Sequence, residues 1–115
     1  MLHLNTTCRY FYYNGTADFR KGAYGLSGLV RNEMQQDVLS GDVFIFIGRR
    51  GNKIKLLQWD SDGFALYEKG LEQGTFERPP ASHNRHFCIT SQQLQFILQG
   101  VILKTVRQKI RFTCQ

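Results

Sequence analysis

Residues 43–67 read VFIFIGRRGNKIKLLQWDSDGFALY. Three apolar runs, rich in β-branched and aromatic residues, are separated by two turn signals. One is Gly48-Arg49-Arg50-Gly51-Asn52 and the other is Asp60-Ser61-Asp62-Gly63. Gly, Asn and Asp between such runs mark hairpins, because these residues tolerate the backbone angles that tight turns need. The stretch therefore predicts a three-stranded meander on which the rest of the chain is hung. Residues 43–47 are continuously apolar, as expected of a central strand covered on both faces. Alternation along residues 53–60 puts Lys53, Lys55, Leu57 and Trp59 on one face. Ile54, Leu56, Gln58 and Asp60 fall on the other.

Working toward the N-terminus, residues 9–13 (RYFYY) are aromatic and predict a strand. Asn14-Gly15-Thr16 is a turn, after which Asp18 is placed to N-cap a helix from Phe19 to Met34. Phe19, Ala23, Leu26 and Val30 are spaced four, three and four, which makes one buried helix face. Gly22, Gly25 and Gly28 weaken the helix and permit close packing on a sheet or close approach of a partner. Arg20 and Lys21 then fall in the first helical turn, where cations are mildly unfavourable. They would suit a bound phosphate. Alternatively, Arg20 pairs with Asp18 or Glu33 or points to water.

Toward the C-terminus, residues 70–76 hold a turn and lead toward a further strand. Arg78-Pro79-Pro80 ends regular structure. Residues 87–89 read as a short strand. Thr90-x-x-Gln93 has the form of a capping box and predicts a second helix near Ser91, with Leu94, Ile97 and Leu98 on one face. Residues 104–115 carry Lys104, Arg107, Lys109 and Arg111 and predict a basic tail. The organisation expected is one α+β domain over residues 1–103 and a tail over 104–115. The domain would be an antiparallel meander sheet with one main packed helix and a second, C-terminal one.

The length of 115 residues fits one domain with one core. A formal charge of +6 favours a polyanionic partner. Cys8, Cys88 and Cys114 are far apart and odd in number, which argues against a disulfide framework and for a reducing compartment. No apolar run approaches the ~20 residues of a membrane span, and residues 1–5 do not open a signal peptide, so a cytoplasmic protein is expected.

The chemistry-bearing residues concentrate in the first hairpin. Arg49 and Arg50 stand at a glycine-flanked tip, with Lys53 and Lys55 on the adjoining strand face. Such a cluster can meet a phosphate backbone, and Trp59 and Tyr67 could offer stacking surfaces nearby. The alternative is a solvated turn with structural aromatics. Asp60-x-Asp62-Gly63 fails as a calcium loop, because Phe64 and Leu71 occupy the next ligand positions. Asp18, Asp60, Asp62, Glu68 and Glu72 could in principle supply nuclease carboxylates, but no spacing selects them. His83-x-x-His86-x-Cys88 has ligand types without a clear fourth ligand. No catalytic triad order, P-loop or dinucleotide fingerprint is present. The reading is a non-enzyme without metal or cofactor.

Residues 15–30 (GTADFRKGAYGLSGLV) and 40–76 (SGDVFIFIGRRGNKIKLLQWDSDGFALYEKGLEQGTF) resemble the small TnpB-type accessory protein of insertion-sequence family sixty-six. That family's first signature is close to T-D-M-R-K-G-x-D-G-L. Asp18, Arg20, Lys21, Gly22, Gly25 and Leu26 match it, while Ala17, Phe19 and Tyr24 depart from it. The second is close to F-x-x-R-R-G-D-R-x-K-x-L-x-W-D-G-D-G. Arg49, Arg50, Gly51, Lys55, Leu57, Trp59, Asp60, Asp62 and Gly63 match it, with Asn52 and Lys53 in place of its Asp-Arg pair. Tyr67, Lys69, Leu71, Glu72, Gly74 and Phe76 continue in register. The RNA-guided nuclease that shares the name TnpB is a different, much longer protein.

The resemblance implies an accessory role in transposition of a bacterial mobile element, beside a larger transposase that carries the chemistry. It brings no catalytic residues. The expected partners are transposon DNA, held by Arg20, Lys21, Arg49, Arg50, Lys53 and Lys55, and the transposase of the same element. An adaptor that touches only the transposase, and a metal-dependent nuclease, are the alternatives.

Overall fold

The computed structural model describes residues 8–20, 22–79 and 86–99. Five strands form one sheet: β1 (Tyr10–Tyr13), β2 (Val43–Ile47), β3 (Lys53–Asp60), β4 (Gly63–Gly70) and β5 (His86–Ile89). Their order is β4-β3-β2-β1-β5. The meander β2-β3-β4 is antiparallel throughout, with Ile45 opposite Leu56 and Leu57 opposite Leu66. β1 departs from an all-antiparallel sheet. It runs parallel to β2, with Tyr10 opposite Val43 and Tyr12 opposite Ile45, and antiparallel to β5. Parallel neighbours need a crossover, and the helix between β1 and β2 supplies it.

That helix is shorter than its apolar spacing predicts. It comprises α1 (Ala23–Leu29) followed by a π-helical segment, Val30–Met34, that ends at the left-handed Gln35. Its N-cap is Gly22, without a side-chain cap, so Asp18 is not the cap. The Asp18 carboxylate instead accepts the Arg20 backbone N–H at 3.0 Å. The reason lies at Phe19. Its carbonyl accepts a hydrogen bond from Lys55 Nζ at 3.0 Å, and its ring packs over Gly48, where a Cβ would come within 3.3 Å. The chain is thereby held down on the sheet until Gly22 frees it to coil.

Alternation distributes the core to both faces. Tyr10, Tyr12, Val43, Ile45, Ile47, Ile54, Leu56 and Ile89 pack beneath α2 (Ser91–Gln99), which contributes Leu94 and Ile97. Phe11, Phe44, Phe46 and Leu57 pack beneath α1 and its π segment, which contribute Leu26, Val30 and Met34. Every side chain of β2 is therefore buried, as its unbroken apolar run predicts. Phe11 and Phe44 stack at 5.6 Å between ring centroids. Burying each such ring stabilises the fold by roughly 1.5–3 kcal/mol.

Local chemistry closes the two ends of the sheet. The Asp42 carboxylate accepts the Arg9 backbone N–H at 2.8 Å and its guanidinium at 3.0 Å, which pins the start of β1 to the start of β2. Thr90 and Gln93 form the predicted capping box. The Thr90 N–H donates to Gln93 Oε1 at 2.8 Å, and the Gln93 N–H donates to Thr90 Oγ1 at 3.0 Å. Residues 71–79 form no strand, contrary to the extended reading of residues 70–76. They cross the far ends of β3, β2 and β1 on the way to β5. Basic residues 104–115 lie outside the described residues.

Candidate nucleic-acid interface

The parallel pair decides where the basic residues meet. β1 and β2 point the same way, so the loops that follow them emerge at the same end of the sheet. A parallel bridge from Ala17 to Gly48 ties those loops together. Beyond this bridge lies a cleft of about 660 Å³, lined by Thr16, Asp18, Phe19, Arg20, Arg49, Arg50, Asn52 and Lys53, among others. Open sheets characteristically receive ligands just outside the carboxyl ends of parallel strands.

The floor of the cleft is rigid while its cations are free. The Gly48 N–H donates to Lys53 O, and the Gly51 N–H to Gly48 O, each at 2.9 Å. Gly51 sits at φ +81, with room for no Cβ beside Thr75 at 3.2 Å. The returning chain then fastens the loop from behind. The Leu71 N–H donates to Asn52 O and the Phe76 N–H to Gly51 O, each at 2.8 Å. The Arg78 guanidinium donates to Gly48 O at 2.6 Å. None of these bonds uses the side chain of Arg49, Arg50 or Lys53. All three are exposed, and among the described residues none forms an ion pair.

Arg20 is brought to the same cleft from a distant part of the chain. Its side chain is 92% exposed and forms a two-pronged pair with Asp18, at 3.1 Å for each bond. That carboxylate raises the affinity of the guanidinium for its proton. Arg20 precedes the helix, so the penalty expected for a cation in a first helical turn does not arise. Four cations against Asp18 leave the cleft with a formal charge of +3. Lys21 lies outside the described residues.

Lys55 departs from the expected cluster. It is only 6% exposed and lies beneath the Phe19 segment. Its ammonium donates to Phe19 O, sits 3.5 Å from Glu68 Oε1 and lies 4.9 Å from the Phe19 ring centroid. Alternation placed it on the correct face but not at the correct depth, because that face is roofed by the chain leading into α1. Its role here is to hold Phe19 down, and it is not available to a phosphate. Trp59 is half-buried, edge-on to Phe64 at 5.1 Å, in keeping with packing rather than a free stacking surface. Tyr67 lies on β4, away from the cleft lining.

Arg78, which ties the cleft floor to Gly48, had no local signal. It is a lone arginine before two prolines, and its partner is 30 residues away. Asp18 was visible only as a helix cap. Among the described residues, no group of three His, Cys, Asp or Glu side chains converges on a point that could hold a metal ion. His83 of the sequence motif lies outside them. Also among the described residues, no helix is long and apolar enough to cross a membrane.

The family described as IS66 Orf2 like protein matches residues 8–108. The chain belongs to this family. The match spans both elements that build the cleft and runs through the second helix. Two relatives come from Sinorhizobium fredii (strain NBRC 101917 / NGR234). The uncharacterized protein y4jC is 30% identical over 92 residues, covering 80% of this chain and 78% of its own length. The uncharacterized protein y4hO is 31% identical over 101 residues, covering 88% and 87%. No solved structure matches. Membership in the IS66 Orf2-like family points to an accessory role in the transposition of an insertion sequence.

Proposed function

We propose that this IS66 Orf2-like protein assists the transposase of its element by gripping transposon DNA, without chemistry of its own. Arg49, Arg50 and Lys53 contact phosphates at the hairpin tip, and Arg20 holds a further phosphate across the cleft. The observation that carries this reading is the convergence of four exposed cations on one rigid cleft, with only Asp18 to offset them. A rigid floor with free cationic side chains suits a ligand that presents repeated negative charge. The carboxylates that a nuclease would need are partly committed elsewhere, Asp18 to Arg20 and Glu68 to Lys55.

The test is a fluorescence-anisotropy titration against terminal-repeat and scrambled DNA at several salt concentrations. Three net charges engaged on duplex DNA give a slope near −2.7, so affinity falls about 40-fold from 50 to 200 mM salt. The Arg49→Ala/Arg50→Ala variant should fall only about 3.5-fold over the same range. A slope near zero, or an equal slope in the variant, overturns the reading. Preference for the terminal repeat would add targeting. The transposase is the proposed protein partner, tested by its retention in a pull-down after nuclease treatment. Mg²⁺-dependent nicking that is lost in Asp60→Asn would replace the non-enzymatic reading with a nuclease.

A further inference from the structure

A second groove lies on the helix-α1 face of the sheet and is not used by the phosphate reading. It measures about 440 Å³ and is lined by Tyr24, Ser27, Arg31, Val38, Leu39 and Phe64, with Gln36 and Asp37 at its margin. Tyr24 is 85% exposed, an unusual position for a large ring. The ring is nonetheless oriented: it stands edge-on to Phe64 at 6.2 Å and 84°. Phe64 is held in turn by Trp59 at 5.1 Å and 74°. The edge of the Tyr24 ring is thus supported from below, while its surface faces solvent.

The wall of this groove is built irregularly. The π-helical segment Val30–Met34 carries Arg31, and the left-handed Gln35 turns the chain into Gln36. The Gln36 N–H reaches back to Val30 O at 3.1 Å. π-Helical turns are rare and concentrate at functional sites. The groove is also continuous with the basic cleft. Arg20 lines the cleft and Tyr24 the groove, and four residues of chain span at most about 14 Å. Arg31 supplies a cation at the far side.

We propose that this groove receives a base of an unpaired DNA strand, stacked on Tyr24, while the backbone of the same strand lies among Arg20, Arg49 and Arg50. The proposal rests on the phosphate reading of the cleft and adds the form of DNA preferred. A positively charged groove beside an exposed aromatic ring is the general arrangement for single strands. Bases inside a duplex already have both faces covered by their neighbours, so Tyr24 adds affinity only where a base is free. Stacking of this kind tolerates any base, so the preference is for strandedness rather than sequence.

The experiment measures binding of the full chain to a labelled oligothymidine and to a duplex of equal length at one salt concentration. Wild type, Tyr24→Ala, Tyr24→Phe and Arg49→Ala/Arg50→Ala are compared. Tyr24→Ala should weaken oligothymidine binding at least about fivefold, the lower end of what loss of one stacked base costs. Duplex binding should stay within twofold, and Tyr24→Phe, which keeps the ring, should match wild type on both. Equal weakening on both DNA forms, or no weakening on either, overturns the proposal. If the double arginine variant still loses binding to both forms, the cleft reading stands and only the stacking fails. If wild type binds neither form, both readings fall. Release of the transposase by Tyr24→Ala, with both DNA affinities intact, would assign the groove to protein and overturn the proposal.

Discussion

Lys55 and Arg49 make opposite predictions, although the sequence places them in one basic cluster. Lys55→Met keeps most of the aliphatic stem and removes the ammonium. Three contacts are lost: the bond to Phe19 O at 3.0 Å, the pair with Glu68 at 3.5 Å and the ring contact at 4.9 Å. A hydrogen bond from a charged donor contributes about 1.5–3 kcal/mol. The Glu68 side chain is 49% exposed, so its share is at most about 1 kcal/mol after solvent screening. The substitution also relieves the cost of keeping a charge out of water, which offsets part of the loss. The net destabilisation expected is about 1–3 kcal/mol, dominated by the orphaned Phe19 carbonyl. For a domain of this size that lowers Tm by at least about 4 °C. The salt slope of DNA binding should not change, because no phosphate reaches a side chain that is 6% exposed. Arg49→Ala should do the reverse. Its slope should fall by about 0.9, the value of one phosphate contact. Its Tm should stay close to wild type, as a surface change costs within about 0.5 kcal/mol. The assays are thermal unfolding by circular dichroism and anisotropy titrations across salt. A Lys55→Met protein with unchanged Tm and a slope reduced by about 0.9 would refute the buried placement of Lys55.

Further predictions concern the parts that hold the cleft and its helices in place. Gly51→Ala forces a side chain into φ +81 and against Thr75 Cγ2 at 3.2 Å. It should cost at least about 1–2 kcal/mol in urea unfolding. Thr90→Ala removes one half of the capping box and should cost about 0.5–2 kcal/mol, whereas Thr90→Ser should recover most of it. Burial holds the Tyr12 hydroxyl above its ordinary 10.0, against the lowering pull of Arg78. Burial likewise raises Tyr10, reinforced by its hydrogen bond with Cys8. A raised value means that the folded chain keeps protons the unfolded chain releases. Stability is therefore complete below about pH 10 and declines as pH rises beyond it. Urea midpoints between about pH 9 and 12 should show this decline, and Tyr12→Phe should make it shallower.

What was legible in the sequence shares one property: the deciding partners are close along the chain, or the pattern needs no partner at all. Residues 43–47 announce a doubly covered strand because no polar residue interrupts them. Thr90 and Gln93 announce a cap because they bond across three residues. The alternation of β3 assigns Ile54 and Leu56 to one face and Leu57 to the other, as found. The failures are long-range. Nothing local tells that Tyr10 lies opposite Val43, or that Asp42 reaches back 33 residues to Arg9. The start of α1 moved from Phe19 to Ala23 because Lys55, far along the chain, takes the Phe19 carbonyl. Periodicity assigns faces. It does not say what will roof them.

The same long-range feature assembles the candidate site. In a purely antiparallel arrangement the loops after β1 and β2 would leave opposite ends of the sheet, and Arg20 would lie a strand length from Arg49. The crossover through α1 makes β1 and β2 parallel, so both loops emerge together and the Ala17–Gly48 bridge fixes their spacing. The two family signatures noted in the sequence therefore belong to the two walls of one cleft. The departure from an antiparallel sheet and the convergence of the cations are one structural fact. A change that loosens the pinned starts of β1 and β2, such as Asp42→Ala, acts at the opposite end from Arg20 and Arg49. Through the parallel register it would still blur the spacing between them.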